Sequence, residues 1–146
     1  MISSGDALKS LAIEAALSPQ EEKLEVGQKK QKLYIGIPKE TEFQEQRVAL
    51  VPQSVGLLIA NGHKVVVETG AGINANFSDN DYSEAGAEIA YDTQEIYKAD
   101  IILKVTPPND NEINMMKHKQ ILFSALQLTV QPKSALKKLM DKKITA

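Results

Sequence analysis

From Leu33 onward, short runs rich in Ile and Val alternate with helix-like segments, and no other feature narrows the possible folds as much. The runs cover residues 33–37, 64–68, 88–91, 101–105 and 121–126, and the helix-like segments between and after them cover 53–61, 78–85, 93–98, 111–116 and 132–140. Nearly continuous apolar strands separated by helices need cover on both faces, which a parallel sheet flanked by helices supplies. The expected fold class is therefore α/β, Rossmann-like or flavodoxin-like. At 146 residues the chain can bury one core but hardly two.

The segment ends carry their own signals. Asn61-Gly62 closes the first helix, because glycine accepts positive φ just past a helix end. Ser78-Asp79, Thr93 with Glu95, and Asn109 to Asn111 before Glu112 offer side-chain oxygens and acidic groups to free amides at helix starts. Residues 1–31 differ: Leu8, Leu11 and Ile13 suggest one short helix and Pro19 a second start, so this stretch is expected to be a helical or flexible extension of a domain at 32–146. At the other end, an amphipathic helix leads into Ile144-Thr145-Ala146, the opening of a further strand, and the chain is expected to be truncated there.

A formal net charge of −2 gives no general attraction to nucleic acid or anionic membranes. The absence of cysteine excludes disulfides and thiolate metal sites. No apolar run approaches the roughly 20 residues a membrane helix needs, and the first ten residues do not resemble a secretory signal. A cytoplasmic protein is expected.

Two cations stand out. Arg47 is the only arginine, and it follows the strand end at Gly36-Ile37-Pro38-Lys39-Glu40. In open α/β sheets ligands bind beyond the carboxyl ends of the strands, and a guanidinium fork grips a carboxylate through two parallel hydrogen bonds. The alternative is a surface arginine paired with Glu40, Glu42 or Glu45. Lys104 lies in the apolar run Ile101-Ile102-Leu103-Lys104-Val105, where a buried ammonium needs a partner and could serve acid–base work. The alternative is a side chain that reaches out to solvent at the strand end.

Gly70-Ala71-Gly72-Ile73-Asn74-Ala75 formally matches the dinucleotide pattern G-x-G-x-x-A, with Asp92 at the spacing of a ribose-binding acid. The pyrophosphate, however, needs a helix that starts at the glycines, whereas the next helix cap comes only at Ser78. Glu68 would also repel phosphate. The loop is expected to be a glycine turn. His63 and His118 have no metal-ligand spacing and are expected to face solvent, and Met115-Met116 to be a packing face.

Gly36-Ile37-Pro38-Lys39-Glu40, Gln46-Arg47-Val48-Ala49-Leu50-Val51-Pro52, Val67-Glu68-Thr69-Gly70-Ala71-Gly72, Ala85-Gly86-Ala87-Glu88-Ile89 and Ile102-Leu103-Lys104-Val105 occur in this order. Together they resemble the N-terminal region of the alanine dehydrogenase and nicotinamide nucleotide transhydrogenase α-subunit family. The resemblance runs from Leu33 to the end. It implies a substrate domain in which Arg47 and Lys104 bind the substrate carboxylate and its neighbouring carbonyl, with Lys104 in the catalytic role. NAD would be held mainly by a later domain, absent here, so this chain alone is expected to be inactive. The implied reaction is reversible oxidative deamination of L-alanine to pyruvate and ammonium, commonly by a homo-hexamer. One position departs from the pattern: in Ser124-Ala125-Leu126-Gln127-Leu128, Gln127 stands where family dehydrogenases usually carry a histidine. Glutamine can orient a keto oxygen but cannot titrate near neutrality. A transhydrogenase α-subunit, or a non-catalytic amino-acid-binding module, is the alternative.

Overall fold

The computed structural model describes residues 31–146, and both helix expectations within 1–30 lie outside the described residues. Five strands form one sheet: β1 Tyr34–Ile37, β2 Lys64–Glu68, β3 Glu88–Ala90, β4 Ile101–Leu103 and β5 Ile121–Phe123. Its order is β3-β2-β1-β4-β5 and every pairing is parallel. Five helices follow the strands in turn: α1 Pro52–Ala60, α2 Asp79–Glu84, α3 Thr93–Ile96, α4 Asp110–Met115 and α5 Lys133–Asp141.

Alternation along the strands sends side chains into two cores. Ile35 and Ile37 of β1 and Val65 and Val67 of β2 pack with Val55 of α1 and Tyr82 of α2. Val66 of β2, Ile102 of β4 and Leu122 of β5 pack on the opposite face with Ile96, Ile113, Ala135 and Leu139 from α3, α4 and α5. Each fully buried Ile or Val contributes about 1.5–3 kcal/mol, so the strands are fixed from both sides. Gly36 lies at the closest approach of strand and helix. A Cβ there would stand 2.6 Å from the Ile96 carbonyl oxygen, so only glycine lets α3 rest on the centre of the sheet.

The chain runs outward from β1 to β2 to β3, then returns to place β4 on the other side of β1. The order of connection therefore reverses between β1 and β4, the position beyond which ligands bind in open parallel sheets. The loops after these two strands carry residues 38–51 and 104–109.

Three local expectations are corrected. The cap of α3 is Asp92, whose side chain accepts the Gln94 amide, while the Thr93 hydroxyl donates to Glu68 Oε1 at 2.6 Å. Asp92 is thus a helix cap and not a ribose ligand. His63 is half-buried, with Nδ1 accepting the Leu33 amide at 3.3 Å. β5 ends at Phe123, three residues early, because the Ala125 amide turns to the Val105 carbonyl and Ser124 Oγ donates to the Thr106 carbonyl. Among the described residues no helix is long and apolar enough to cross a membrane, and no group of His, Asp and Glu could hold a metal ion.

Candidate functional site

Alternation also decides where Lys104 points. Ile101 and Leu103 face the α1–α2 core and Ile102 faces the α3–α4–α5 core, so residue 104 turns toward α4. β4 ends at Leu103, yet the Lys104 amide still donates to the Phe123 carbonyl at 2.9 Å and keeps this direction. Its Nζ lies 3.1 Å from Glu40 Oε2 and 3.1 Å from Glu112 Oε1, and its side chain has 0% exposure. The side chain does not reach solvent. It is an enclosed ammonium between two carboxylates.

Each carboxylate is itself anchored. Glu40 accepts the Val105 and Thr106 amides and the Thr106 hydroxyl, which ties the β1 loop to the β4 loop. Glu112 is the third residue of α4 and accepts the Asn109 amide at 2.8 Å, while the Asn109 side chain accepts the Glu112 amide. This reciprocal cap fixes the start of α4 and aims Glu112 at the lysine. The Tyr97 hydroxyl lies buried in the same region without a hydrogen bond of normal geometry. Burial first, then the charges of Glu112, Glu68 and Glu40, push this phenol up.

Arg47 lies in a different environment. Its Nε donates to Glu45 Oε1 at 2.9 Å and its Nη2 to Glu45 Oε2 at 2.8 Å, and its backbone amide adds a third bond at 2.8 Å. The arginine side chain is 74% exposed and that of Glu45 only 10%. Hydrogen bonding from Arg47 holds the Glu45 carboxyl at about 2, and Glu45, with a smaller contribution from Glu40, raises the guanidinium. The clasp is built on an uncommon backbone: Gln44 has φ 63°, left-handed for a non-glycine residue, in a turn closed by the Glu45 amide on the Glu42 carbonyl.

Gln127 is also left-handed, with φ 49°, and its carbonyl accepts the Val130 and Gln131 amides. It lines a cleft of about 380 Å³ with Arg47, Glu42, Glu45, Thr106 and Asn109. A neighbouring cleft of about 530 Å³ is walled by Arg47, Val48, Leu103, Lys104, Phe123 and Ser124. The structure thus brings Arg47 and Gln127 to one cleft. It does not bring the Lys104 ammonium there, since the lysine's 5% of exposed area is backbone. Glu40, which touches Lys104 and adds to the field at Arg47, links the two cations. Sequence reasoning weighed Glu40 and Glu45 only as surface partners of Arg47 and gave Glu112 only a helix-start role. The clue for Glu112 was its spacing three residues after a cap, which places a carboxylate at a helix start next to the strand carrying Lys104.

The two ion pairs differ in how readily they exchange partners. An exposed pair is worth about 0.2–1 kcal/mol, whereas removing one partner from a buried pair costs about 3–5 kcal/mol. A ligand can therefore reach Arg47, whose side chain is 74% exposed, but not the Lys104 ammonium.

The glycine loop does not fit a nucleotide. Asp79 takes the Gly70 amide at 2.8 Å and the Thr69 hydroxyl at 2.6 Å, filling the place of a phosphate oxygen with a carboxylate. A short 3₁₀ turn, Ile73–Ala75, follows instead of a helix. The Ser78 cap is closed on its own chain through Asp81. Glu68 accepts the Lys39 amide at 2.7 Å, so it holds the β1 loop.

The family model described as "Alanine dehydrogenase/PNT, N-terminal domain" matches residues 36–146. The chain belongs to this family. It is 42% identical over 114 residues to an alanine dehydrogenase of Bacillus subtilis, covering 78% of this chain and 30% of that protein. An alanine dehydrogenase of Methanococcus maripaludis is also 42% identical over 114 residues, with 77% and 30% covered. Among solved structures, an L-alanine dehydrogenase superposes with a TM-score of 0.72 at 38% identity, covering 75% of this chain and 30% of that one. A transhydrogenase from Sinorhizobium meliloti gives 0.68 at 31% identity, covering 75% and 31%. The chain spans about 30% of the length of the curated alanine dehydrogenases it matches. The named members are oxidoreductases, and this family's N-terminal domain has the α/β fold described above.

Proposed function

We propose that this chain is the substrate-side domain of an NAD-dependent alanine dehydrogenase, catalysing reversible oxidative deamination of L-alanine to pyruvate and ammonium. The observation that carries the reading is the convergence of Arg47 and Gln127 on one cleft near the β1/β4 reversal. Arg47 grips the substrate carboxylate. Gln127 donates its amide to the keto oxygen and orients the substrate. Lys104, whose Nζ donates to Glu40 and Glu112, polarises the carbonyl or imine centre in the assembled site of the complete protein. NAD is bound by residues outside this chain, which alone does not turn over alanine. The complete protein works as a homo-oligomer in the cytoplasm, with the substrate domain at 32–146.

The test is kinetic. In the complete protein Arg47→Ala should raise the KM for alanine and pyruvate roughly 10- to 100-fold, the loss of a charged hydrogen-bonded contact. An unchanged KM removes Arg47 from substrate binding. One feature favours a second reading, a transhydrogenase α-subunit: Gln127 cannot take up or release a proton near neutral pH. Alanine-dependent reduction of NAD by the complete protein separates the two.

A further inference from the structure

The fork of Arg47 is already occupied. A carboxylate two residues away fills the Nε–Nη2 edge of the guanidinium, as a bound substrate carboxylate would. Its Oε1 also accepts the Arg47 amide at 2.8 Å. We propose that Glu45 is a built-in stand-in for the ligand: it competes for the Nε–Nη2 edge of Arg47 and must be displaced from it before a substrate carboxylate can take that edge. This rests on Arg47 being the carboxylate clamp.

Three observations support an exchange over a fixed structural pair. The arginine side chain is 74% exposed, so a dissolved carboxylate can approach its outer side although Glu45 itself is only 10% exposed. The clasp follows directly on Gln44, a non-glycine residue in the left-handed conformation, which carries backbone strain. Finally, Glu42, Glu45 and Arg47 line the same cleft as Gln127, so the displaced carboxylate remains beside the ligand. That position also selects the ligand class. A second negative charge on the ligand would meet both Glu42 and the released Glu45, so the site takes small monocarboxylates and disfavours dicarboxylates. The contrast with Lys104 lies in the cation: its ammonium is fully enclosed, with 0% side-chain exposure, whereas the Arg47 side chain is 74% exposed.

The experiment titrates the chain with sodium pyruvate, and separately with malonate, at constant ionic strength, following the Arg47 Nε–H resonance by nitrogen-15 NMR. Wild type, Glu45→Gln, Glu45→Ala and Arg47→Ala are compared, with backbone spectra confirming that each is folded. Removing the competitor should tighten pyruvate binding roughly 1.5- to fivefold in both Glu45 variants, the range for losing an exposed ion pair. Arg47→Ala should abolish it. Pyruvate should bind wild type more tightly than malonate, and Glu45→Gln should narrow the gap. If Glu45→Gln and Glu45→Ala bind like wild type while Arg47→Ala does not bind, the stand-in role is overturned and the clamp survives. If Arg47→Ala binds like wild type, the clamp itself fails and the proposal falls with it. Absence of saturable binding even in Glu45→Gln overturns the proposal, since a vacated fork then takes no carboxylate; the KM of Arg47→Ala in the complete protein judges the clamp separately. Malonate binding as tightly as pyruvate overturns the monocarboxylate assignment.

Discussion

At the residue scale, the molecule holds its two conspicuous cations in opposite ways. Lys104 is enclosed with 0% side-chain exposure between Glu40 and Glu112. Lys104→Met should leave two carboxylates facing each other without a counter-charge and cost about 3–5 kcal/mol in urea unfolding. A loss below about 1 kcal/mol would mean that the ion pairs do not form in solution. Arg47 instead acts on its partner's titration. A carboxylate held at about 2, against an ordinary 4.5, contributes to the order of its loop at all pH values above 4.5 and loses that contribution as pH falls from 4.5 toward 2. Carbon-13 NMR of the Glu45 carboxyl should therefore give a midpoint near 2. A midpoint at 4.5 would show that the clasp is open.

At the scale of elements, most of the fold was legible because each element carries a local reason. β2 lies at 64–68 as its Val-Val-Val run dictates, and Ser78 and Asn109 cap α2 and α4 as their side-chain oxygens suggest. The glycine loop could also be rejected from the missing helix start, a distance readable along the chain. What escaped was pairing across long sequence separations. The Glu40–Lys104 contact joins residues 64 apart, and only the order of the strands brings them together. The cap of α4 carries a dual burden for the same reason, since the residue that closes it also grips Lys104. Asn109→Ala removes the acceptor for the Glu112 amide and should lower stability by about 1 kcal/mol. The same variant frees Glu112 to move, so the Lys104 ammonium should exchange its protons faster by NMR. Unchanged ammonium exchange would show that α4 does not position the pair.

At the scale of the whole molecule, the carboxyl ends of the strands are stitched together by the chain's own acids. Glu40 bridges the β1 and β4 loops, Glu68 joins β2 to the β1 loop and to α3, Asp79 secures the turn after β2, and Glu45 sits in the arginine fork. The Lys39, Gly70, Val105 and Thr106 amides, which point from strand ends, already have carboxylate acceptors. The family match covers this region, and the named relatives extend well beyond it, with about 30% of their length represented here.

The unequal enclosure of the two ion pairs gives dissolved electrolyte a selective grip on the domain. Mobile ions weaken attraction between charges they can surround and scarcely reach charges sealed from water. Concentrated salt should therefore slacken the outer arginine fastening while the inner lysine fastening stays shut, so the receptive rim can be retuned without loosening the scaffold beneath it.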